Sequence, residues 1–139
     1  MSEENKAIVR RISEAFNEGN LGELDELVAP DFVGHNPLMP EDIQGLEGLK
    51  GFFAAVRAAM PDILHPTVTL VAEGDLVVLH AENEGTFTNE FMGIPPTGKK
   101  VSYWMANIWR IADGKTVECW FNLDTLGLMQ QLGVIPPMG

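Results

Sequence analysis

One cysteine and three histidines in 139 residues leave little to build a covalent or metal-held scaffold. A disulfide framework needs paired cysteines, and a zinc site needs Cys or His pairs at ligand spacing, which His35, His65, His80 and Cys119 do not form. No metal is therefore expected. Cys119 sits among apolar neighbours and reads as a small buried hydrophobe, with a reducing cytoplasm as the compartment. Basic residues are scarce too: nine Lys and Arg against 20 Asp and Glu give a formal charge of −11. Phosphate binding needs a basic surface, so nucleic acid is not an expected partner, and the charge reads as solubility. No apolar run approaches a membrane span, and the polar, acidic opening Met-Ser-Glu-Glu-Asn is not that of a signal peptide. No phosphate loop or hydrolase elbow occurs either, since Gly45, Gly48 and Gly51 fall within or near a helical pattern.

What remains is an ordinary globular composition, 45% hydrophobic and 21% charged, at a length suited to one domain spanning residues 1–139. Ile8, Val9, Ile12, Ala15 and Phe16 recur at helical spacing and stop at Gly19, which predicts a first helix. Asn20 with Glu23 three residues on suggests a capping box for a short second helix carrying Leu21, Leu24, Leu27 and Val28, closed by Pro30. Asp31 to Asn36 reads as a brief extended segment. Leu49, Phe52, Phe53, Val56, Ala59 and Met60 mark a third helix ending at Pro61. Beyond residue 62 the period becomes two, predicting strands near 66–72, 76–84, 100–111 and 115–124 with turns at Glu73-Gly74-Asp75 and Asp113-Gly114. Helices followed by an antiparallel meander make an α+β fold in which the helices cover one sheet face.

The last hairpin carries the chemistry. A two-residue turn at Asp113-Gly114 pairs Ala112 with Lys115, sets Trp109 opposite Glu118, Asn107 opposite Trp120, Met105 opposite Asn122 and Tyr103 opposite Asp124, and puts all of them on one face. That mixed face is expected to line a cavity under the helices. Trp104, Ala106 and Ile108 with Cys119, Phe121 and Leu123 form the other face, too apolar for water, which predicts a homodimer through it. A bulge at Gly114 would slip the register by one.

The order of elements, with Phe91-Met-Gly-Ile-Pro-Pro-Thr-Gly-Lys99, Ile108-Trp-Arg-Ile-Ala-Asp-Gly-Lys115, Trp120 to Asp124 and Leu126-Gly-Leu-Met-Gln-Gln-Leu-Gly133, resembles the SnoaL-like polyketide cyclases of the NTF2-like superfamily over nearly the whole chain. The resemblance implies a cone of curved antiparallel sheet wrapped around a pocket roofed by three N-terminal helices. It also implies a cofactor-free enzyme acting on a small hydrophobic carbonyl compound, most specifically intramolecular aldol cyclisation of a polyketide-type ester. The same pocket could instead serve an isomerase, a dehydratase, an epoxide hydrolase or a plain binding module.

Asp124 matches the family's general acid/base, although a position just before Leu126 to Leu132 equally suits a helix N-cap. His35 is the second catalytic candidate, as a partner of a ligand or of Asp124. Asn107, Trp120, Asn122, Tyr103, His80, Met105, Phe16 and Phe53 are the candidate substrate-binding residues. His65, next to Pro66, reads as a surface residue. The Phe91 to Gly98 loop reads as a packed connector or dimer contact rather than a lid.

Overall fold

Apolar residues at helical spacing and a left-handed stop define the first element. The computed structural model describes residues 2–136, and in it α1 spans Ser2–Glu18. Gly19, at φ +71°, ends it: its N–H donates to Phe16 O and that of Asn20 to Ala15 O, the paired bonds that close a helix on a glycine. The Arg57 guanidinium then donates to the Phe16 and Asn17 carbonyls and to Ile63 O, tying this helix end to the chain beyond the third helix. The second helix is shorter than expected, a 3₁₀ turn at Leu21–Glu23 followed by α2 at Leu24–Leu27. Its capping box does not form. Asn20 makes no side-chain cap, and Glu23 pairs with Arg11 of α1 instead.

Next come β1 (Val28–His35), β2 (Ile43–Gln44), α3 (Gly45–Ala59), β3 (Val68–Glu73), β4 (Leu76–Thr86), β5 (Lys100–Ala112), β6 (Lys115–Trp120) and α4 (Thr125–Gln131). The sheet order is β2-β1-β6-β5-β4-β3. The β3–β6 meander is antiparallel as expected, but β1 runs parallel to β6, so the curved, unclosed sheet is mixed rather than antiparallel throughout. Pro30 lies within β1 instead of closing a helix, at an irregular stretch where the pairing jumps between Val28 and Val33. Gly34 makes the close packing there possible, because a Cβ would lie 3.1 Å from the Phe121 ring and 3.2 Å from Ile43 and Phe32.

Helices α1, α3 and α4 pack against one sheet face, and the core lies between them and the inward residues of β1, β4, β5 and β6. Alternation along β4 sends Val77, Leu79, Ala81 and Asn83 inward, and along β5 sends Val101, Met105, Asn107, Trp109 and Ile111 inward.

The Asp113-Gly114 turn forms with both residues at positive φ (52° and 77°), and Ala112 pairs with Lys115 as predicted. The register nevertheless slips one step later. Ile111 faces Thr116 while Arg110 faces Glu118, so Val117 is an extra residue, a bulge in β6 rather than at Gly114. The fully buried Thr116 holds it, its hydroxyl donating to Arg110 O at 3.2 Å. Because side chains alternate, the slip reverses the expected faces beyond it. Cys119, Phe121 and Leu123 turn inward beside Trp109 and Met105, whereas Glu118, Trp120 and Asn122 lie on the outer face with Ile108 and Arg110. Trp109 therefore meets Cys119, not Glu118.

Candidate active site

The inward set encloses a cavity of about 70 Å³ between the sheet and the helices. Its walls are mostly apolar. Ile12 and Phe16 of α1, Phe52, Phe53 and Val56 of α3, and Leu128 and Leu132 around α4 form the helical side, and Leu79, Met105, Trp109 and Phe121 the sheet side. Phe16 and Phe53 meet edge to face at 5.2 Å, and Trp109 meets Phe121 the same way at 5.8 Å. Among the described residues, no carboxylate and no Lys or Arg lines the cavity. Its polar groups are Asn36, His65, Asn83, Tyr103, Asn107 and the Trp109 indole.

Each polar group is held differently. Asn107 is buried; its Oδ1 accepts from Asn122 N at 3.1 Å, which leaves its Nδ2 with only the weak Met105 thioether at 3.2 Å. Trp109 Nε1 is buried and meets no acceptor. Burial pushes the Tyr103 phenol well above its ordinary pKa, so it stays protonated and able to donate. His65 is not a surface residue, contrary to expectation, but is buried against α1. Its Nδ1 lies 2.8 Å from Ser13 Oγ, its ring stacks on Phe16 at 4.6 Å, and Asn17 brackets its backbone, accepting from His65 N at 2.7 Å and donating to His65 O. Burial lowers its pKa to about 4, so the ring is neutral near pH 7. Asn83 faces the imidazole, and its buried Nδ2 meets no acceptor.

Of the residues singled out from the sequence, Phe16, Phe53, Tyr103, Met105 and Asn107 line the cavity. Trp120, Asn122, His80 and His35 do not. The bulge turns Trp120 and Asn122 outward, and the inward set Leu79, Ala81 and Asn83 leaves His80 exposed on the opposite face. Asp124 is not on the wall either: its Oδ1 accepts from Gly127 N at 3.0 Å, the N-cap bond of α4. Sequence reasoning missed His65, Asn83, Asn36 and the cavity-facing Phe87 and Phe91, whereas Trp109 lines the cavity as its face predicted. Phe91 is buried at the start of its loop, as a packed connector would have it. The alternation along β4 that inverted His80 could have found Asn83.

His35 belongs to an outer network. Its Nε2 donates to Glu118 at 2.7 Å and its Nδ1 to Asp42 at 3.1 Å, Arg110 donates to the other Glu118 oxygen, and Trp120 stacks on the ring at 5.7 Å. The Glu118 contact raises the His35 pKa above its ordinary 6.5, and the same contact, with Arg110, lowers Glu118 below 4.5. For the histidine, the stabilisation is complete below the unfolded value and fades as pH rises through the raised one. For the glutamate, it is present above the unfolded value and fades as pH falls through the lowered one. The pair thus contributes most between pH 4.5 and 6.5. His35→Gln is expected to lower the urea midpoint at about pH 5.5 and to leave it nearly unchanged at about pH 9, where the wild-type ring is itself neutral. Equal losses at both pH values would contradict this account.

Among the described residues, no cluster of His, Cys, Asp and Glu is placed to hold a metal ion, and no helix is long and apolar enough to cross a membrane.

A family model for the SnoaL-like polyketide cyclases matches residues 6–132. The chain is 29% identical over 130 residues to the aklanonic acid methyl ester cyclase of Streptomyces sp. (strain C5), covering 91% of this chain and 80% of that one. It is 27% identical over 120 residues to the nogalonic acid methyl ester cyclase of Streptomyces nogalater, covering 86% and 90%. The crystal structure of wild-type IdmH from Streptomyces antibioticus superposes with a TM-score of 0.78 at 37% identity, covering 94% of this chain and 99% of that one. That of TsrD from Streptomyces laurentii superposes with a TM-score of 0.84 at 28% identity, covering 96% and 97%. A match over nearly the whole sequence and a shared helix-roofed sheet place this chain in the SnoaL-like polyketide cyclase family, with its NTF2-like α+β fold, as an enzyme of the cyclase type.

Proposed function

We propose that this enzyme closes a ring in a polyketide-type methyl ester by intramolecular aldol addition inside the cavity, without a cofactor. The supporting observation is the wall itself: apolar, free of formal charge at neutral pH, and carrying neutral donors. A neutral, mostly hydrophobic carbonyl compound loses little by entering such a space, whereas a charged one would leave its water uncompensated. In the reaction a base removes the proton between two carbonyls, the resulting enolate carbon attacks a ketone carbon, and the new alkoxide takes the proton back. Mass is conserved, since one carbon–carbon bond forms and nothing leaves.

Asp124 is the proposed proton carrier. Its carboxylate caps α4 and does not line the cavity, but its chain neighbour Leu123 does, and the helix it opens brings Leu128 to the same wall. Asn107 Nδ2 and Trp109 Nε1, two residues apart on one strand face, are the proposed donors to the enolate oxygen. Incubation with aklanonic acid methyl ester or nogalonic acid methyl ester is expected to give an isomer of unchanged mass and new chromatographic mobility. Recovery of both esters intact would sink the reading.

We also propose a homodimer through the outer sheet face, which in the slipped register carries Trp104, Ala106, Ile108 and Trp120 rather than Phe121 and Leu123. Trp104 is 47% exposed and Val71 59%, and among the described residues no helix covers them. Trp104→Arg is expected to shift the sedimentation coefficient from dimer to monomer. A wild-type protein that sediments as a monomer rules the dimer out.

A further inference from the structure

A buried contact between Ser13 and His65 stands beside Asn83, whose amide on the cavity wall is an unused donor. Ser13 and His65 are both buried, 2.8 Å apart, and the imidazole is fixed from three sides by Ser13, by the Phe16 ring and by the Asn17 amide on its backbone. Beyond it stands Asn83, 3% exposed, on the cavity wall, with Nδ2 lacking any acceptor. A buried amide left unpaired costs stability, and this one is cross-strand from Tyr103, whose side chain also lines the cavity. Such a cost is offset when the missing acceptor arrives with a ligand.

We propose that Asn83 receives a carbonyl oxygen of the bound ligand, and that Ser13 and His65 are positioning residues that hold its amide for this. Ser13 donates its hydroxyl proton to Nδ1 of His65, which fixes the proton on Nε2. In the proposed arrangement that N–H, which faces Asn83, donates to Oδ1 and leaves the Nδ2 protons for the cavity. The chain is cooperative, because each bond polarises the next in a low-dielectric surround. His65 serves this purpose as a neutral ring. The site is separate from the Asn107–Trp109 pair: Asn83 pairs with Tyr103, and Trp109 is six residues further along the same strand, a Cα separation of roughly 20 Å. The ligand class is a mostly apolar molecule carrying a carbonyl oxygen, which Asn83 takes.

This inference deepens the cyclase reading but is tested without turnover. The probes are 1-tetralone and tetralin, which match in shape apart from the carbonyl oxygen. Asn83→Leu is expected to weaken 1-tetralone about tenfold and leave tetralin within about twofold, as loss of one buried hydrogen bond requires. Parallel losses for both probes, no loss for either, or no binding of 1-tetralone by the wild-type chain each overturn the proposal. In the intact protein, the Asn83 side-chain amide resonances are expected to move with 1-tetralone and not with tetralin, a readout that needs no variant. His65→Phe keeps the ring stacked on Phe16 and removes both nitrogens. It is expected to show the same selective loss, with no further loss in combination with Asn83→Leu; additive losses would overturn the positioning role. Selective 1-tetralone binding beside an unconverted aklanonic acid methyl ester would remove the reaction and leave the site standing, and turnover without that selectivity would do the reverse.

Discussion

Asp124→Asn is expected to cut turnover of aklanonic acid methyl ester by about 10²–10⁴-fold, the range a positioned acid or base contributes, with the melting temperature nearly unchanged. The substitution separates two roles that the sequence leaves superimposed. An Asn side-chain oxygen accepts from Gly127 N as the carboxylate does at 3.0 Å, and Asn is as good an N-cap as Asp. What it removes is the group that can carry a proton, together with a helix-end charge worth about 0.3–1 kcal/mol. Asp124→Ala removes cap and proton carrier alike and loses stability as well as rate. Full turnover by Asp124→Asn would reduce Asp124 to the cap of α4 and leave His65 and Tyr103 as the titratable groups of the wall.

Phe32→Ala is expected to be the most destabilising single change, at about 3–5 kcal/mol, a large share of the roughly 5–15 kcal/mol by which a domain of this kind stays folded. Phe32 has no exposed surface, stacks on Trp109 at 6.1 Å and closes over Gly34. The space it leaves is walled by strand β1 and the Trp109 indole, neither of which can collapse far without breaking the β1–β6 pairing. Urea unfolding of wild type and variant measures the loss directly. A change below about 1 kcal/mol would mean that the core relaxes around the site more easily than its packing indicates. Trp109 loses its stacking partner in the same substitution, so binding at that end of the cavity is expected to weaken with it.

The element order and the inward face of β5 were legible in the sequence, because a long strand with Met105, Asn107 and Trp109 at every second position has one way to face an apolar core. What could not be read was a register set by an inserted residue. Alternation within Trp120 to Asp124 is preserved under either pairing, so Trp120 and Asn122 looked as good as Phe121 and Leu123 until Val117 was counted out of the ladder. His65 was missed for a different reason. Its burial depends on Ser13, Phe16 and Asn17, about fifty residues earlier, and no local pattern around Pro66 carries that contact. His80 and Asn83 are a third case, since both lie in one alternating strand and only its phase against the helices decides which is inside. The period-two rule held along β4 and β5 and broke at Val117 and in β1.

The Val117 bulge makes the wall of β6 a matter of counting rather than of chemistry. Substitutions beyond it alter a side chain in place, but the loss or gain of one residue between Gly114 and Glu118 exchanges wall and surface wholesale, trading Cys119, Phe121 and Leu123 for Glu118, Trp120 and Asn122. A lineage that drifts only by point changes keeps an uncharged cavity of this shape. A single codon inserted or removed there would line the same scaffold with an acid, an indole and an amide, and so open a different set of ligands to it without a new fold.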